Sequence, residues 1–332
     1  VLWPEEICQN PPPEISCKKA RPSAQDSRLV FEISNAKVAG EARILATGSN
    51  VVMANMQGLF GVQDPLNHHF LEPKLRIPKH LPGRSLIIAG ATEPNYYHWL
   101  FDCLPRLHLA HCAGINLDAI DHFLLMKNPP EFVSETLSAM GIPKSKHISL
   151  HSKEVLQCER LVATEMPTPF DSPPEWIVEF LKGLLSAPAP RTATKFIYFS
   201  RNDARSRRLA NEDELLRELI PLGFENVSAA GLSVSDQSTL FASAKLVVSV
   251  HGAGLANILF SPPETTVVEL YNPGYDNDCF QRLGESLGQK FVRIQCRPAG
   301  QTAHLPTQRQ DIIVPVDTTV DLIRREITLL GS

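Results

Sequence analysis

Three clusters of residues have types and spacings that could do chemistry. The first is Val250-His251-Gly252-Ala253-Gly254-Leu255-Ala256-Asn257, which follows the apolar run KLVVSV and opens a helical segment. Small residues at a strand-to-helix turn let backbone N–H groups come close to a phosphate, and a helix N-terminus favours an anion. The pattern G-x-G-x-x-N is a near miss to the dinucleotide fingerprint. Glu269, fifteen residues after Gly254, ends the next apolar strand, where an acid could accept bonds from ribose hydroxyls. The second cluster, Ser200-Arg201-Asn202-Asp203-Ala204-Arg205-Ser206-Arg207-Arg208, places four arginines within eight residues after the strand KFIYFS. Guanidinium forks match phosphate oxygens, and ligands of open α/β sheets bind at the carboxyl ends of the strands. The plainer alternatives are a capped tight turn for the glycines and a solvated basic loop for the arginines.

The third cluster is Asn95-Tyr96-Tyr97-His98-Trp99-Leu100-Phe101-Asp102-Cys103-Leu104-Pro105-Arg106. On a helix His98 and Asp102 share a face, Arg106 continues it, and Pro105 forces a kink or restart. A His–Asp pair beside an arginine can move a proton; a polar stripe on an amphipathic helix is the bland reading. Asp276-Asn277-Asp278 has the D-x-D form that holds divalent metal elsewhere, but it sits where a helix starts and reads as structural. His68-His69 has no third ligand at a recognisable spacing.

The elements that must position these clusters alternate. Residues 1–27 are Pro-rich and read as an extended arm, and 28–76 as a small β region with runs such as LVFEIS and VVMANM. Strands SLIIAG, HFLLM and RLVAT then alternate with helical segments at about 96–112, 131–140 and 174–185. SAPAPRTAT (186–194) reads as a linker. Beyond it come strands KFIYFS, FENVS, KLVVSV, TTVVEL and KFVRI, with helices at 211–220, 235–244, 253–260 and 278–288 and a closing helix at 316–330. This is an α/β pattern of βαβ units and parallel sheets. It divides into 1–27 as arm, 28–187 as a first Rossmann-like domain with a β-rich lead-in, 188–315 as a nucleotide-binding domain, and 316–332 as a helix packing back on the first.

Of the 332 residues 43% are hydrophobic and 20% charged, as in ordinary globular proteins with full cores. A net charge of -4 gives no global attraction to nucleic acid or anionic membrane, so any polyanion site must be a local basic cluster. No apolar run approaches the roughly 20 residues of a membrane helix. The start Val1-Leu2-Trp3-Pro4 lacks a Met and reads as trimmed, with room for a removed signal or anchor. The seven cysteines show no C-x-x-C and read as mostly buried, reduced thiols of a reducing compartment; Cys8 and Cys17 are the pair that could be bridged.

Together NYYHWLFDCLPRL, SRNDARSRRLANEDEL and SVHGAGLANILFSPPETTVVEL resemble glycosyltransferase family 61 in order and spacing over about residues 90–275. The resemblance implies an inverting enzyme of GT-B type, with two Rossmann-like domains facing across a cleft. It would take a sugar from a UDP-sugar donor to a hydroxyl of a glycan or other acceptor, with no metal or other cofactor required. Arg201, with Arg207 or Arg208, would clamp the pyrophosphate. His251, Gly252, Ala253 and Gly254 would cradle it, Asn257 would support that loop, and Glu269 would contact ribose or base. Asn95, Tyr97 and Arg106 would line the acceptor side. Asp102 is the first choice for the base and His98 the second, or the two act as one unit. Location would be cytoplasmic, with membrane association, in a bacterium and the secretory-pathway lumen in a eukaryote. The alternatives are a non-catalytic sugar-nucleotide or glycan-binding protein and an NAD-dependent oxidoreductase; the oxidoreductase is disfavoured because its glycine turn follows the first strand of its fold. Donor sugar, acceptor and oligomeric state are not encoded in any readable motif.

Overall fold

A computed structural model describes residues 3–39, 43–46, 51–52, 77–89, 94–151, 154–168, 173–188 and 192–331. His68-His69 and most of VVMANM lie outside the described residues. The chain divides into two compact units, Val1–Leu181 and Lys182–Ser332. Both are α/β, and no described helix is long and apolar enough to cross a membrane.

The first unit contains strands β1 (Ile15–Ala20), β2 (Arg28–Ala39), β3 (Arg43–Ala46), β4 (Val51–Val52), β5 (Lys79–Ile87), β6 (His122–Met126), β7 (His147–Leu150) and β8 (Val155–Thr164). Among the described residues they form one sheet in the order β4-β3-β2-β8-β5-β6-β7, with β1 also on β2. β8, β5, β6 and β7 run parallel, and β2 joins antiparallel to β8. The β-rich lead-in is therefore an extension of the same sheet. Leu161, Val162 and Ala163 of β8 are all fully buried, as expected of a strand covered on both faces.

The Pro-rich N-terminus is not an extended arm. It forms helix α1 (Pro4–Gln9), with proline in its first turn, and then β1. Ile7 and Ile15 enter the core with Phe31 and Ile33, and Cys8 and Cys17 form a disulfide with Cα atoms 5.5 Å apart. This is the pair that the sequence left open to bridging, while Cys103, Cys112, Cys158, Cys279 and Cys296 are free. Further helices are α2 (Tyr96–His98), α3 (Pro105–Cys112), α4 (Glu131–Ala139) and α5 (Glu175–Leu185).

The second unit places β9 (Lys195–Ser200), β10 (Phe224–Ser228), β11 (Ala244–Val250), β12 (Thr266–Tyr271) and β13 (Lys290–Gln295) in a parallel sheet ordered β10-β9-β11-β12-β13. A short antiparallel pair, β14 (Arg297–Pro298) and β15 (Ile312–Ile313), follows. Helices α6 (Glu212–Leu219), α7 (Val234–Ala242), α8 (Cys279–Ser286) and α9 (Val316–Gly331) complete it, with a 3-10 helix at Ala253–Phe260. Tyr198, Leu246, Val248, Val268 and Leu270 share one core with Leu215 and Leu219 of α6 and Val320 and Ile323 of α9. The closing helix, expected against the first domain, thus has its apolar stripe in the core of the second unit, where Lys290 also meets Glu326 at 2.6 Å.

The Cys8–Cys17 link closes a nine-residue separation. Chain-entropy arithmetic for such a loop gives about 2–3 kcal/mol. Replacing both cysteines by Ser should lower the stability of the first unit by that amount, read as a lower denaturant midpoint; an unchanged midpoint would show that α1 is held by packing alone.

Candidate functional site

The strand order of the second unit determines where a ligand can sit. From β9 the chain adds β10 on one side and then β11 on the other, so the order reverses between β9 and β11. Such a switch point opens a crevice at the carboxyl ends of the strands. The loops leaving those ends carry Arg201–Arg208 after β9 and His251–Gly254 after β11.

Neither glycine of His251-Gly252-Ala253-Gly254 is there for a left-handed backbone. Gly252 has φ 173°, an extended value. A Cβ on it would lie 1.9 Å from an Arg201 terminal nitrogen, and a Cβ on Gly254 would lie 2.6 Å from the Phe199 ring. Gly252 is the bed on which the Arg201 guanidinium lies, and Gly254 lets the turn close on the strand. The segment that follows is a 3-10 helix, tighter than the expected α-helix. Its first N–H groups still lack partners within the helix. Asn257 is fully buried and donates to Gly254 O at 3.0 Å and to Gln237 Oε1 of α7 at 2.7 Å, so it holds the turn as expected.

Arg201 donates from its guanidinium to Ser206 O at 3.2 Å. Burial, and next the Arg207 charge, push its pKa down to about 10. Arg207 has φ 57°, a left-handed conformation that costs a non-glycine residue roughly 1–2 kcal/mol. Its Nε is buried without a hydrogen-bond partner among the described residues, and its Cζ lies 5.3 Å from the centroid of the Tyr275 ring. Among the described residues neither arginine is ion-paired with a carboxylate. Arg208 is different: Asp311 accepts its backbone N–H at 2.8 Å and pairs with its side chain at 3.5 Å. Of the two arginines that could join Arg201, the structure brings Arg207.

Glu269 does not stand at the tip of its strand, since β12 runs on to Tyr271. It is fully buried, with Oε1 2.7 Å from His251 Nδ1 and Oε2 2.7 Å from Arg293 Nε. Both oxygens are engaged within the protein, and the contact to Nδ1 fixes the orientation of the His251 ring. With the carboxylate ionised, His251 Nδ1 must be the donor. The rings of Tyr275 and Phe280 make T-shaped contacts with the same imidazole, with centroids 5.4 and 5.1 Å away. Asp276 meets Arg293 at 2.8 Å and Asp278 meets Arg282 at 2.9 Å. The D-x-D acids are thus tied to arginines; Asp278 is the N-cap position of α8, without a side-chain capping bond, and Asn277 Oδ1 accepts from Cys279 N at 2.9 Å.

In the first unit, Asn95 Oδ1 accepts from Tyr97 N at 3.0 Å and caps α2; Tyr97 itself is buried. Trp99–Cys103 then form a π-turn, closed by Leu104 N to Trp99 O at 2.8 Å. Pro105 brings no N–H to the helix. The Phe101 oxygen it would have bonded accepts instead from Thr168 Oγ1 at 2.8 Å. Across this turn His98 Nδ1 lies 2.7 Å from Asp102 Oδ2, the pair expected from the four-residue spacing. The Asp102 side chain is 9% exposed and that of His98 20%, so the imidazole is the reachable member. Arg106, expected on the acceptor side, is buried instead. Its fork donates to Asp102 O and Thr164 O, both at 3.0 Å, and burial lowers its pKa. It fastens the π-turn to the end of β8.

Residues 96–268 match the family model described as Glycosyltransferase 61. That is more than half of the chain and takes in the His98–Asp102 pair, the arginine loop and the glycine turn. The chain belongs to glycosyltransferase family 61. It is similar to the EGF domain-specific O-linked N-acetylglucosamine transferase of Drosophila melanogaster, 30% identical over 34% of this chain and 22% of that protein. It is also similar to the β-1,2-xylosyltransferase XAX1 of Oryza sativa subsp. japonica, 40% identical over 20% of this chain and 12% of that protein. These alignments span less than a quarter of the relatives' own lengths.

The residues missed from sequence are Tyr275, Arg293, Gln237 and Asp311. Arg293 sits opposite Glu269 in the β12–β13 register, a signal legible only once the pairing is known. The two glycines should fail differently. Gly252→Ala displaces the flexible end of Arg201, so any affinity for UDP that Arg201 carries should fall while the melting temperature barely moves. Gly254→Ala drives a methyl into the buried Phe199 ring and should cost about 1–3 kcal/mol of stability. Calorimetric titration and denaturant unfolding of the two variants separate these outcomes.

Proposed function

We propose that this protein is an inverting glycosyltransferase that moves a sugar from a nucleoside diphosphate donor, a UDP-sugar, to an acceptor hydroxyl. The observation that carries the reading is the pair Arg201 and Arg207, on one loop at the switch point and electrostatically coupled, with no carboxylate ion-paired to either among the described residues. A buried cation next to a like charge is unfavourable until an anion arrives. A diphosphate supplies that anion, and its charge grows as the sugar leaves, so the same arginines stabilise the transition state more than the ground state. The backbone N–H groups of Ala253 and Gly254 add donors at the same edge. This chemistry needs no divalent ion, and with the arginine pair in that role the reading is metal-independent transfer.

The first unit supplies the proton acceptor in this reading. His98 takes the proton of the attacking hydroxyl, and Asp102 behind it fixes the ring and stabilises the imidazolium, in the manner of other carboxylate–imidazole pairs. The greater exposure of His98 supports its role as the base in this reading, with Asp102 as the orienting group. The GT-B assignment, with one Rossmann-like domain for each substrate, belongs to this proposal and is supported by the family. The relatives' names supply the first sugars to test, N-acetylglucosamine and xylose. The Cys8–Cys17 disulfide favours an oxidising location such as the secretory-pathway lumen over a reducing cytoplasm.

UDP should raise the melting temperature in the presence of EDTA, and NAD should not. With UDP-N-acetylglucosamine or UDP-xylose as donor, His98→Gln and Asp102→Asn should each lower kcat by about 100-fold or more and leave UDP affinity intact. Binding without any turnover across a panel of donors and acceptors would favour a sugar-nucleotide-binding protein. A shift with NAD, or one only with manganese, would overturn the reading.

A further inference from the structure

The loop after β12 also leaves the carboxyl edge of the second sheet, and sequence patterning gave Tyr275 within it no role. It is rigidly built. Asn272 Oδ1 accepts from Gly274 N at 2.9 Å, and Asn272 Nδ2 donates to Gln310 Oε1 at 3.1 Å and Thr307 O at 3.3 Å. A Cβ on Gly274 would come within 2.8 Å of Thr307, so this loop and residues 307–310 are packed in contact. On this support stands Tyr275, half-buried. The Arg207 cation lies over its ring, 5.3 Å from the centroid, and the His251 imidazole meets it edge-on at 5.4 Å.

Arg207 needs such a partner. Its backbone is left-handed, its Nε is buried without a hydrogen bond among the described residues, and it has no ion pair there. Its charge is, after burial, the next cause that lowers the Arg201 pKa. An aromatic face attracts a guanidinium without neutralising it, whereas a carboxylate in that place would compete with a phosphate. Resting on the donor-site reading above, we propose that Tyr275 is the positioning residue of the anion site: its ring holds Arg207 beside Arg201 and backs His251, so the site is set before the diphosphate arrives. Preorganisation of this kind contributes to affinity by removing the cost of ordering a long side chain.

The test is a double-mutant cycle on the full chain, with UDP and inorganic pyrophosphate as probes and the donor KM and kcat as kinetic readouts. Tyr275→Leu should weaken both probes about fivefold or more and raise the donor KM by a similar factor, with a smaller change in kcat. Tyr275→Phe keeps the π face and should restore most of that affinity. In an Arg207→Ala background Tyr275→Leu should have little further effect, while in an Arg201→Ala background it should still weaken binding. Equal losses for the Phe and Leu variants would place the effect in the hydroxyl and overturn the proposal. So would losses that add fully to Arg207→Ala, which a purely structural role would give. If Arg201→Ala weakens UDP and Tyr275→Leu does not, only the role of Tyr275 falls; if Arg201→Ala leaves UDP binding unchanged, the donor-site reading falls with it.

Discussion

A guanidinium lying against bare backbone is the contact around which the second unit is arranged. Arg201 leaves the end of β9, Gly252 leaves the end of β11, and the absence of a side chain on Gly252 lets the first rest on the second. That contact requires β9 and β11 to be neighbours, which the β10-β9-β11-β12-β13 order provides. It also requires the two loops to leave the same edge, which a parallel sheet guarantees. The alternation of side chains along the strands then places Ser249, His251 and Glu269 on one face while Val248, Val250, Val268 and Leu270 join the core shared with α6 and α9. Among the described residues Arg201 has no ion-paired carboxylate, and burial lowers its pKa to about 10.

Each unit carries an imidazole whose Nδ1 meets a carboxylate at 2.7 Å, yet the two pairs have different surroundings. In the second unit Glu269 is fully enclosed and shared with Arg293, and His251 is wedged by Tyr275 and Phe280. That ring is oriented and packed. In the first unit, within the run Tyr96–Ala110, His98 and His108 are the positions that are not buried. An imidazole reachable by a substrate, with a carboxylate fixed behind it, is the arrangement expected of a group that exchanges protons.

Much of this was legible before any coordinates. KFIYFS, FENVS and HFLLM are strands with the expected bounds, because short apolar β-branched and aromatic runs flanked by breakers have few other solutions. The spacing of His98 and Asp102 held even though the helix between them is a π-turn, since four residues return to nearly the same face in either geometry. What could not be read depends on pairing across the chain. Glu269 looked like the tip of a strand because the next residues were not seen to continue it, and its partner Arg293 becomes a neighbour only in the β12–β13 register. Arg106 and Arg208 carry charges that a sequence assigns to a surface or a ligand, whereas backbone carbonyls and Asp311 hold them. The N-terminal prolines suggested an extended arm, but Pro4 begins a helix and the disulfide ties it to β1.

The π-turn at Trp99–Cys103 is one residue wider than an α-helical turn and lies between two stretches of ordinary helix. It therefore fixes the rotational phase between Tyr97 on one side and Arg106 on the other. Every residue from Trp99 to Leu107 is buried, so no face of this segment is free to absorb a change of phase. Loss of one residue here would turn everything before it by about a quarter of a revolution relative to everything after it, swinging His98 away from its carboxylate or Arg106 out of its pocket. In this segment chain length is as strict a requirement as residue identity, and lineages that keep the chemistry should tolerate exchanges among the apolar side chains far better than any insertion or deletion.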